Sequence, residues 1–385
     1  MRKVLFMCGV ILIVTGCVSI GPRRVQIDRG IYNNIVRETD QEQLLMNIVR
    51  QRYLEITEYI QVASLTASYS LSQSLTGNVS ALTSTGPASL TSSLSPSMTY
   101  SDTPTISYIP LSSVDFAKSL MTPVTMESFL LLAHAGGYDH TMLFSLLFEQ
   151  IGDVDGDLLN HNGLNKPTPE YIKFNHIMEL FNEMYRKGFF QAPRAVIYEK
   201  HLGIIVHFKN HKGNTPEALK LQKLLGIPAH SQYILFMEHT LLERLKEKNG
   251  MLILDDTRPK FRNVVFVRLR SVYAVIYLLG RGVQIPSSDI NAHMTRELVN
   301  PDGSRFDWTN KMKNILTVYS SKEVPKCNYL VKVYVHNHWF YIKASDQASK
   351  DTFDAIIRLL TLTSSTAANN NSMPVLTIPV SSASK

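Results

Sequence analysis

Two stretches near the N-terminus of this chain place a hydroxyl side chain at every second residue. From Ser64 to Thr76 every even-numbered residue is serine or threonine, and from Ser89 to Ser101 every odd-numbered residue is. The residues between them are mostly apolar, and no charged residue occurs from Tyr59 to Ser101. Because side chains alternate across a strand, each stretch predicts a ribbon with one hydroxyl face and one apolar face. The pair predicts a long amphipathic β-hairpin.

Three interpretations of this hairpin remain open. Its apolar face packs on the body of the protein or on a partner, or the hairpin inserts in a membrane, or the segment is disordered. Insertion requires several protomers to pool their hairpins into one closed barrel, because unpaired strand edges are prohibitive in lipid. Strict alternation argues against disorder.

Several residues favour an interaction ribbon over membrane insertion. Pro96 lies inside the second stretch and has no N–H to donate to a strand partner. Small or polar residues interrupt the apolar face at Ala63, Ala67, Gln73 and Ser92. Tyrosine and tryptophan do not form a clear girdle at both ends, as they do in barrels that cross membranes.

The first residues of the chain have the pattern of an export signal. Arg2 and Lys3 precede an apolar run, Val4–Val14, which is much shorter than the about 20 residues that span a bilayer. The run ends in Val14-Thr-Gly-Cys17, which resembles the lipobox of bacterial lipoproteins, with valine where leucine is usual. The alternative is an ordinary cleaved signal with an incidental cysteine.

The lipobox resemblance implies that Cys17 is the lipidation site and the mature N-terminus. Lipoproteins of this class carry a diacylglyceryl group and an N-acyl chain, and two or more chains hold a protein stably on a membrane. The residues after the cysteine are Val18 and Ser19, without the aspartate that often marks retention at the inner membrane. The resemblance therefore implies an outer-membrane lipoprotein whose body lies in the periplasm.

Composition predicts a folded chain without a nucleic-acid partner. Of 385 residues, 44% are hydrophobic and 18% charged, which is typical of globular proteins. The net charge of +7 is small, and the basic residues are scattered along the chain, which does not favour nucleic-acid binding. Removal of a signal with Cys8 and acylation of Cys17 leave only Cys327, so the mature chain forms no internal disulfide. Strand-like neighbours predict a buried, unreactive Cys327 thiol.

The pattern of elements predicts an α+β fold, with helices and antiparallel hairpins in a globular body. A capping box at Thr39–Glu42 predicts a helix over about 40–54, and Gly77-Asn78 and Gly86-Pro87 indicate turns. An apolar helix is predicted over Thr141–Ile151 and an amphipathic helix over Pro169–Lys187. A further helix is predicted over Pro216–Leu225, which begins with proline and ends at Gly226. The predicted segments are a signal peptide at 1–16, a tether at 17–30, a helix with the β-hairpin and apolar helices at 31–151, an α+β domain at 152–363, and a flexible tail with an edge strand at 364–385.

No set of residues predicts a catalytic or metal centre. His336 and His338 lie two apart on a predicted hairpin without a third ligand at suitable spacing. Asp153, Asp155 and Asp157 alternate, but the loop lacks the terminal glutamate of an EF-hand. Neither a nucleophile elbow nor a phosphate-binding glycine motif is present. We therefore expect no catalytic residues, no metal and no cofactor.

Four segments resemble an uncharacterised family of proteobacterial lipoproteins. They are Leu44–Arg50, Pro104–Pro110, His338–Tyr341 and Ser349–Phe353, and Asn337 stands where the family has glycine. This family has no activity to carry over, so the resemblance implies only the class of protein and its location.

Together these features predict a lipid-anchored, non-enzymatic structural or assembly component of an envelope complex, such as a secretion apparatus. Its partners would be the membrane, through acylated Cys17, and envelope proteins or further copies of itself. The first alternative is an oligomeric pore to which each protomer contributes a transmembrane hairpin from residues 64–101. The second is a lipid-anchored hydrolase.

Overall fold

A computed structural model describes most of the chain. The described residues are 20–66, 69–82, 89–102, 105–110, 114–135, 137–152, 158–159, 168–198, 201–238, 246–248, 251–253, 263–300, 302–368 and 376–379.

Helices and strands both contribute throughout. The helices are α1 (Ile20–Arg52), α2 (Val114–Met121), α3 (Met126–Ala135), α4 (His140–Leu147), α5 (Pro169–Arg186), α6 (Pro216–Leu225), α7 (Val272–Gly280), α8 (Ser287–Asn291), α9 (Trp308–Met312) and α10 (Gln347–Ala368). The strands are β1 (Ile60–Thr66), β2 (Tyr69–Leu82), β3 (Ser89–Asp102), β4 (Thr105–Pro110), β5 (Phe148–Gly152), β6 (Leu158–Leu159), β7 (Arg194–Tyr198), β8 (His201–His207), β9 (Tyr233–Glu238), β10 (Lys246–Lys248), β11 (Met251–Ile253), β12 (Val264–Leu269), β13 (Tyr319–Ser321), β14 (Tyr329–Val335), β15 (His338–Lys343) and β16 (Leu376–Pro379).

The strands that the structure describes form five sheets. The predicted α+β class is confirmed. The largest sheet has the order β6-β5-β12-β9-β8-β7, in which only β12 and β9 run parallel. Three-stranded sheets have the orders β13-β15-β14 and β1-β4-β16. The remaining two are the pairs β2-β3 and β10-β11.

The chain divides into two compact units. The first consists of the described parts of Met1–Thr57 and Val114–Asn369, and the second of those of Glu58–Ser113 and Asn370–Lys385. Residue 151, where the sequence predicted a domain boundary, lies inside β5, which pairs with β12. The chain on both sides of that position therefore belongs to the first unit. The predicted edge strand near the C-terminus is confirmed, since β16 pairs with β4 in the second unit.

Aromatic rings fill the core of the first unit beside the largest sheet. Phe144 lies at the centre, with ring centroids 5.1 Å from Phe129, 4.8 Å from Phe148, 5.0 Å from Phe181 and 5.7 Å from Phe236. All five side chains are buried. Offset and edge-to-face pairs at these distances stabilise a core beyond the burial of apolar area alone.

Helix α1 begins much earlier than the sequence predicted. The tether predicted over 17–30 is wrong for residues 20–30, which are helical; Pro22 falls in the first turn, where its missing N–H costs little. Thr39 is not an N-cap. Its hydroxyl donates to the carbonyl oxygens of Ile35 at 3.0 Å and Val36 at 2.9 Å. Threonine makes such bonds inside helices, so the capping-box pattern at this position does not mark the start of a helix.

The C-terminal half of α1 is part of the core. Leu45, Ile48 and Val49 are fully buried, and this part of α1 packs on α7 and β14. A Cβ atom at Gly280 of α7 would lie 3.3 Å from the Ile48 carbonyl oxygen. Glycine at that position therefore lets the two helix backbones approach closely.

Other predictions were wrong where pairing decided the local structure. Gly77-Asn78 lies inside β2, opposite Leu94 and Ser93, and forms no turn. Gly86-Pro87 falls outside the described residues. The predicted helix over Thr141–Ile151 ends at Leu147, because the chain then pairs as β5 with β12. Short apolar runs do not distinguish helix from strand by periodicity.

Two further corrections concern the C-terminal part of the chain. The tail predicted to be flexible from residue 364 begins as helix, since α10 continues to Ala368. Cys327 is exposed rather than buried. It precedes β14, which begins only at Tyr329, so no strand environment encloses the thiol.

Candidate functional site

Strands β2 and β3 form one long antiparallel ribbon in the second unit. Each has 14 residues, and they pair without a register shift from Tyr69 opposite Asp102 to Leu82 opposite Ser89. The predicted hairpin is confirmed for this pair, and the second hydroxyl stretch lies wholly in β3. The first stretch is divided between two strands, since Ser64 and Thr66 belong to β1 and its later residues to β2. Residues 67–68 lie outside the described residues.

The register brings the hydroxyl positions of the two strands together. The opposed pairs are Ser70 with Ser101, Ser72 with Thr99, Ser74 with Ser97 and Thr76 with Ser95. The hydroxyl oxygens of Ser74 and Ser97 lie 2.6 Å apart and share a hydrogen bond. The side chains of Ser74, Thr76, Ser97 and Thr99 are exposed. The hydroxyl side chains of these pairs that the structure describes are therefore open to their surroundings.

Apolar positions are likewise paired along the ribbon. Leu71 lies opposite Tyr100, and Leu75 lies opposite Pro96. The proline is accommodated in a sheet of only two strands, where each strand has an outer edge that needs no ladder hydrogen bond. Among the described strands none pairs with either outer edge, so both edges present backbone groups to which a further strand can bind.

The histidine pair of the predicted hairpin β14–β15 is divided between two environments. His336 and Asn337 form the turn with positive φ angles of 48° and 62°. His336 Nε2 lies 2.8 Å from Glu55 Oε1, and its ring lies 4.4 Å from that of Tyr53. His338 Nδ1 instead contacts the His336 carbonyl oxygen. Over the described part of the chain, no group of three or more potential ligands gathers to hold a metal ion.

His336 belongs to a polar cluster at the end of α1 that the sequence did not predict. Arg52 is 6% exposed, and its guanidinium lies 2.6 Å from Glu297 Oε1. The Tyr53 hydroxyl donates to Asp289 Oδ2 at 2.5 Å, and both side chains are buried. These groups come from positions more than 200 residues apart, so local patterns contain no sign of them. The Arg52–Glu297 ion pair and the Tyr53–Asp289 hydrogen bond hold the end of α1 against α8 and the chain that follows it.

Tyr53→Phe is expected to lower the free energy of unfolding by about 1–3 kcal/mol at neutral pH. It removes the donor to Oδ2 of the buried Asp289 side chain, whereas the Ser288 hydroxyl still donates to Oδ1. Burial, and then the bond to Asp289, raise the pKa of Tyr53 above its ordinary 10.0. The folded state thus favours the protonated phenol. The resulting contribution to the free energy of unfolding is fully present below pH 10.0 and is lost as the pH rises further. Denaturant unfolding should show that the difference in free energy of unfolding between wild type and variant becomes smaller above that pH.

Tyr334→Phe is the matched control for this prediction. Its hydroxyl donates to Asn337 at the surface, and the side chain is 52% exposed. Its removal should change stability by less than about 0.5 kcal/mol. An equal loss in both variants would contradict a special role for the Tyr53–Asp289 bond.

Two sets of residues singled out in the sequence lie outside the described residues. They are Cys17, the predicted lipidation site, and the acidic loop positions Asp153, Asp155 and Asp157. Of the helices that the structure describes, none is both long and apolar enough to cross a bilayer.

Comparison with protein-family models, with curated proteins and with solved structures found no match to this chain.

Proposed function

We propose that this protein is a lipid-anchored outer-membrane lipoprotein that acts as a non-enzymatic structural component of an envelope assembly, such as a secretion apparatus. Acylated Cys17 is the anchor, and the body lies in the periplasm. The β2–β3 ribbon is the part that contacts neighbouring chains. The lipobox-like Val14–Cys17 and the uncharged ribbon sequence support this assignment.

The observation that carries the proposal is a ribbon of 14 paired positions in a sheet of only two strands. An isolated two-stranded hairpin is at best marginally stable in water. The uncharged sequence from Tyr59 to Ser101 adds no repulsion against a further strand or an apolar surface. A ribbon of this kind gains stability when a partner covers its apolar positions or pairs with its edges.

An oligomeric pore is the second candidate, and the ribbon register favours it specifically. Fourteen residues at about 3.4 Å each give roughly 48 Å, which at a tilt of about 40° covers roughly 36 Å and exceeds a hydrocarbon core of about 30 Å. The exposed hydroxyl row would line the water-filled side of a barrel closed by several protomers.

Purification of full-length protein after mild crosslinking in native membranes tests both functions. For an assembly component, we expect a complex with other envelope proteins that Leu75→Asp weakens by about tenfold or more, because it buries an unpaired charge at the contact. The matched control is Ile197→Asp, at a strand position of the first unit that is 77% exposed. It should leave the complex intact.

Mass and conductance measurements separate the two candidates. A pore predicts a detergent-stable homo-oligomer that conducts in planar bilayers, and Ser97→Asp should shift its selectivity toward cations, whereas Ser287→Asp on α8 should not. A complex with other proteins and no conductance supports the assembly component. Recovery of a monomer without partners would contradict both functions.

A further inference from the structure

The sheet β13-β15-β14 has two chemically different faces. Val331, Val333, Phe340 and Ile342 are buried, with Phe340 and Ile342 fully enclosed. These residues alternate along β14 and β15 with the residues of the opposite face. The inner face thus belongs to the core of the first unit, and the opposite face is the outer face of the sheet.

The outer face carries aromatic and basic side chains almost exclusively. The register places Tyr319, Tyr341 and Lys332 in one cross-strand row, and Ser321, Trp339 and Tyr334 in the next. Tyr329 lies opposite Lys343. The members of this aromatic–lysine face are therefore Tyr319, Ser321, Tyr329, Lys332, Tyr334, Trp339, Tyr341 and Lys343. The face includes no acidic side chain, and its one aliphatic neighbour on these strands is the half-buried Leu330, at the register irregularity between Tyr329 and Val331.

Both lysines of the face are already positioned by rings. Lys343 Nζ lies 3.9 Å from the centroid of the Tyr319 ring. Lys332 Nζ lies 4.7 Å from the Tyr329 ring and 4.9 Å from the Trp339 ring. Contacts of this kind attract the ammonium to the negative face of the ring. A ligand that binds these ammonium groups therefore incurs less of the entropy cost of ordering long side chains.

The rings also contact one another and remain accessible. Tyr319 and Tyr341 stack with centroids 5.7 Å apart, and Tyr334 and Trp339 lie 5.1 Å apart. Tyr329 is 39% exposed and Tyr334 is 52% exposed. Within the described part of the chain, neither lysine of the face forms an ion pair with a carboxylate. The face thus presents aromatic rings together with two lysines that form no ion pair with any carboxylate among the described residues.

We propose that the aromatic–lysine face binds an acidic glycan, a polymer of pyranose rings that carry carboxylates. The weakly positive C–H groups of a pyranose ring suit the negative face of an aromatic ring. The carboxylates pair with Lys332 and Lys343 through charge-assisted hydrogen bonds. The tyrosine hydroxyls are available to the sugar hydroxyls as donors and acceptors.

The composition of the face favours a glycan over a lipid surface. Proteins that bind in the interfacial plane of a membrane bury apolar side chains among the acyl chains. This face offers no aliphatic side chain for that purpose beyond the half-buried Leu330, and four of its five rings are tyrosines with a polar hydroxyl. Single-stranded nucleic acid also stacks on aromatic rings. Single-stranded nucleic acid is excluded as the ligand only on the basis of the envelope location proposed above, so this step rests on the proposed function.

Titration of the full-length protein in neutral detergent with polyuronate oligomers tests this inference. We expect saturable binding that Lys332→Gln/Lys343→Gln weakens by about tenfold or more, since the variant loses both charge-assisted hydrogen bonds to the carboxylates. The matched control is Lys322→Gln/Lys326→Gln, which removes the same charge from the exposed segment between β13 and β14. It should change affinity by less than about twofold. Neutral dextran oligomers should bind far more weakly than the polyuronate.

Each other result would overturn the inference. Equal losses of affinity in the two double variants would show that the polyuronate binds by non-specific charge attraction. Absence of polyuronate binding would contradict an acidic glycan as the ligand. Tighter binding to single-stranded DNA, or to micelles doped with phosphatidylglycerol, would assign the face to another class of ligand. Near-UV circular dichroism of each variant checks that the sheet is intact. Because the assay in neutral detergent needs neither acylation nor a partner chain, its outcome is independent of the anchoring and assembly proposed above.

Discussion

Replacing Cys17 with alanine is expected to move the protein from the membrane fraction to the soluble fraction. Each methylene group of an acyl chain buried in a membrane contributes about 0.8 kcal/mol, so loss of all chains at once removes the proposed anchor completely. Flotation of membranes followed by immunoblotting measures the distribution. Labelling with a radioactive fatty acid checks directly whether Cys17 is acylated.

Cys327→Ala is the control for this experiment, because it removes the other cysteine of the proposed mature chain from an exposed position. It should remain in the membrane fraction and keep the lipid label. If Cys17→Ala remains membrane-bound without label, the anchor lies elsewhere, and Leu75→Asp in the same chain then shows whether the ribbon supplies it.

Phe144→Ala is expected to lower the free energy of unfolding of the first unit by about 3–5 kcal/mol. The ring is 1% exposed and lies between four other phenylalanine rings at centroid distances of 4.8–5.7 Å. Its removal leaves a cavity among the neighbouring phenylalanine rings. The expected loss is a large part of the 5–15 kcal/mol typical of whole domains. Urea unfolding followed by circular dichroism measures it.

Leu131→Ala is the matched control on α3, where the leucine side chain is 51% exposed. It should cost less than about 1 kcal/mol, because little apolar area is lost and no cavity forms. A loss below about 1 kcal/mol for Phe144→Ala would contradict the central position of that ring in the core.

The sequence predicted those elements whose ends have local causes. The helix predicted over Pro169–Lys187 is α5, which begins where the Thr168 hydroxyl accepts from the Tyr171 amide. The helix predicted over Pro216–Leu225 is α6, which ends at Gly226 with a φ of 71°. Such caps act within a few residues, so a single sequence contains the whole cause.

Predictions failed where distant partners compete with a local signal. Thr39 has the sequence of a cap and lies inside α1, and Gly77-Asn78 has the sequence of a turn and lies inside β2. Phe148 continues an apolar helical run, yet it joins the strand paired with β12. In each case hydrogen bonds with a longer element outweigh a preference that amounts to about 1 kcal/mol or less.

The candidate surfaces were predicted only in part, for the same reason. The alternation of hydroxyl residues predicted a two-faced ribbon, but not that its first stretch divides between β1 and β2. The two lysines of the aromatic–lysine face, Lys332 and Lys343, are 11 positions apart along the chain. Pairing of β14 with β15 brings them to one face.

The sequence by itself determined the α+β class, the period of the ribbon and most helices, because periodicity and caps are local properties of a chain. It also contains the lipobox-like segment on which the proposed anchor depends. The tertiary structure alone decided the register that opposes Ser74 to Ser97, the polar cluster that holds α1, and the outer face of β13-β15-β14. Each of these joins residues far apart in sequence, and their contact energies exist only after the chain has folded.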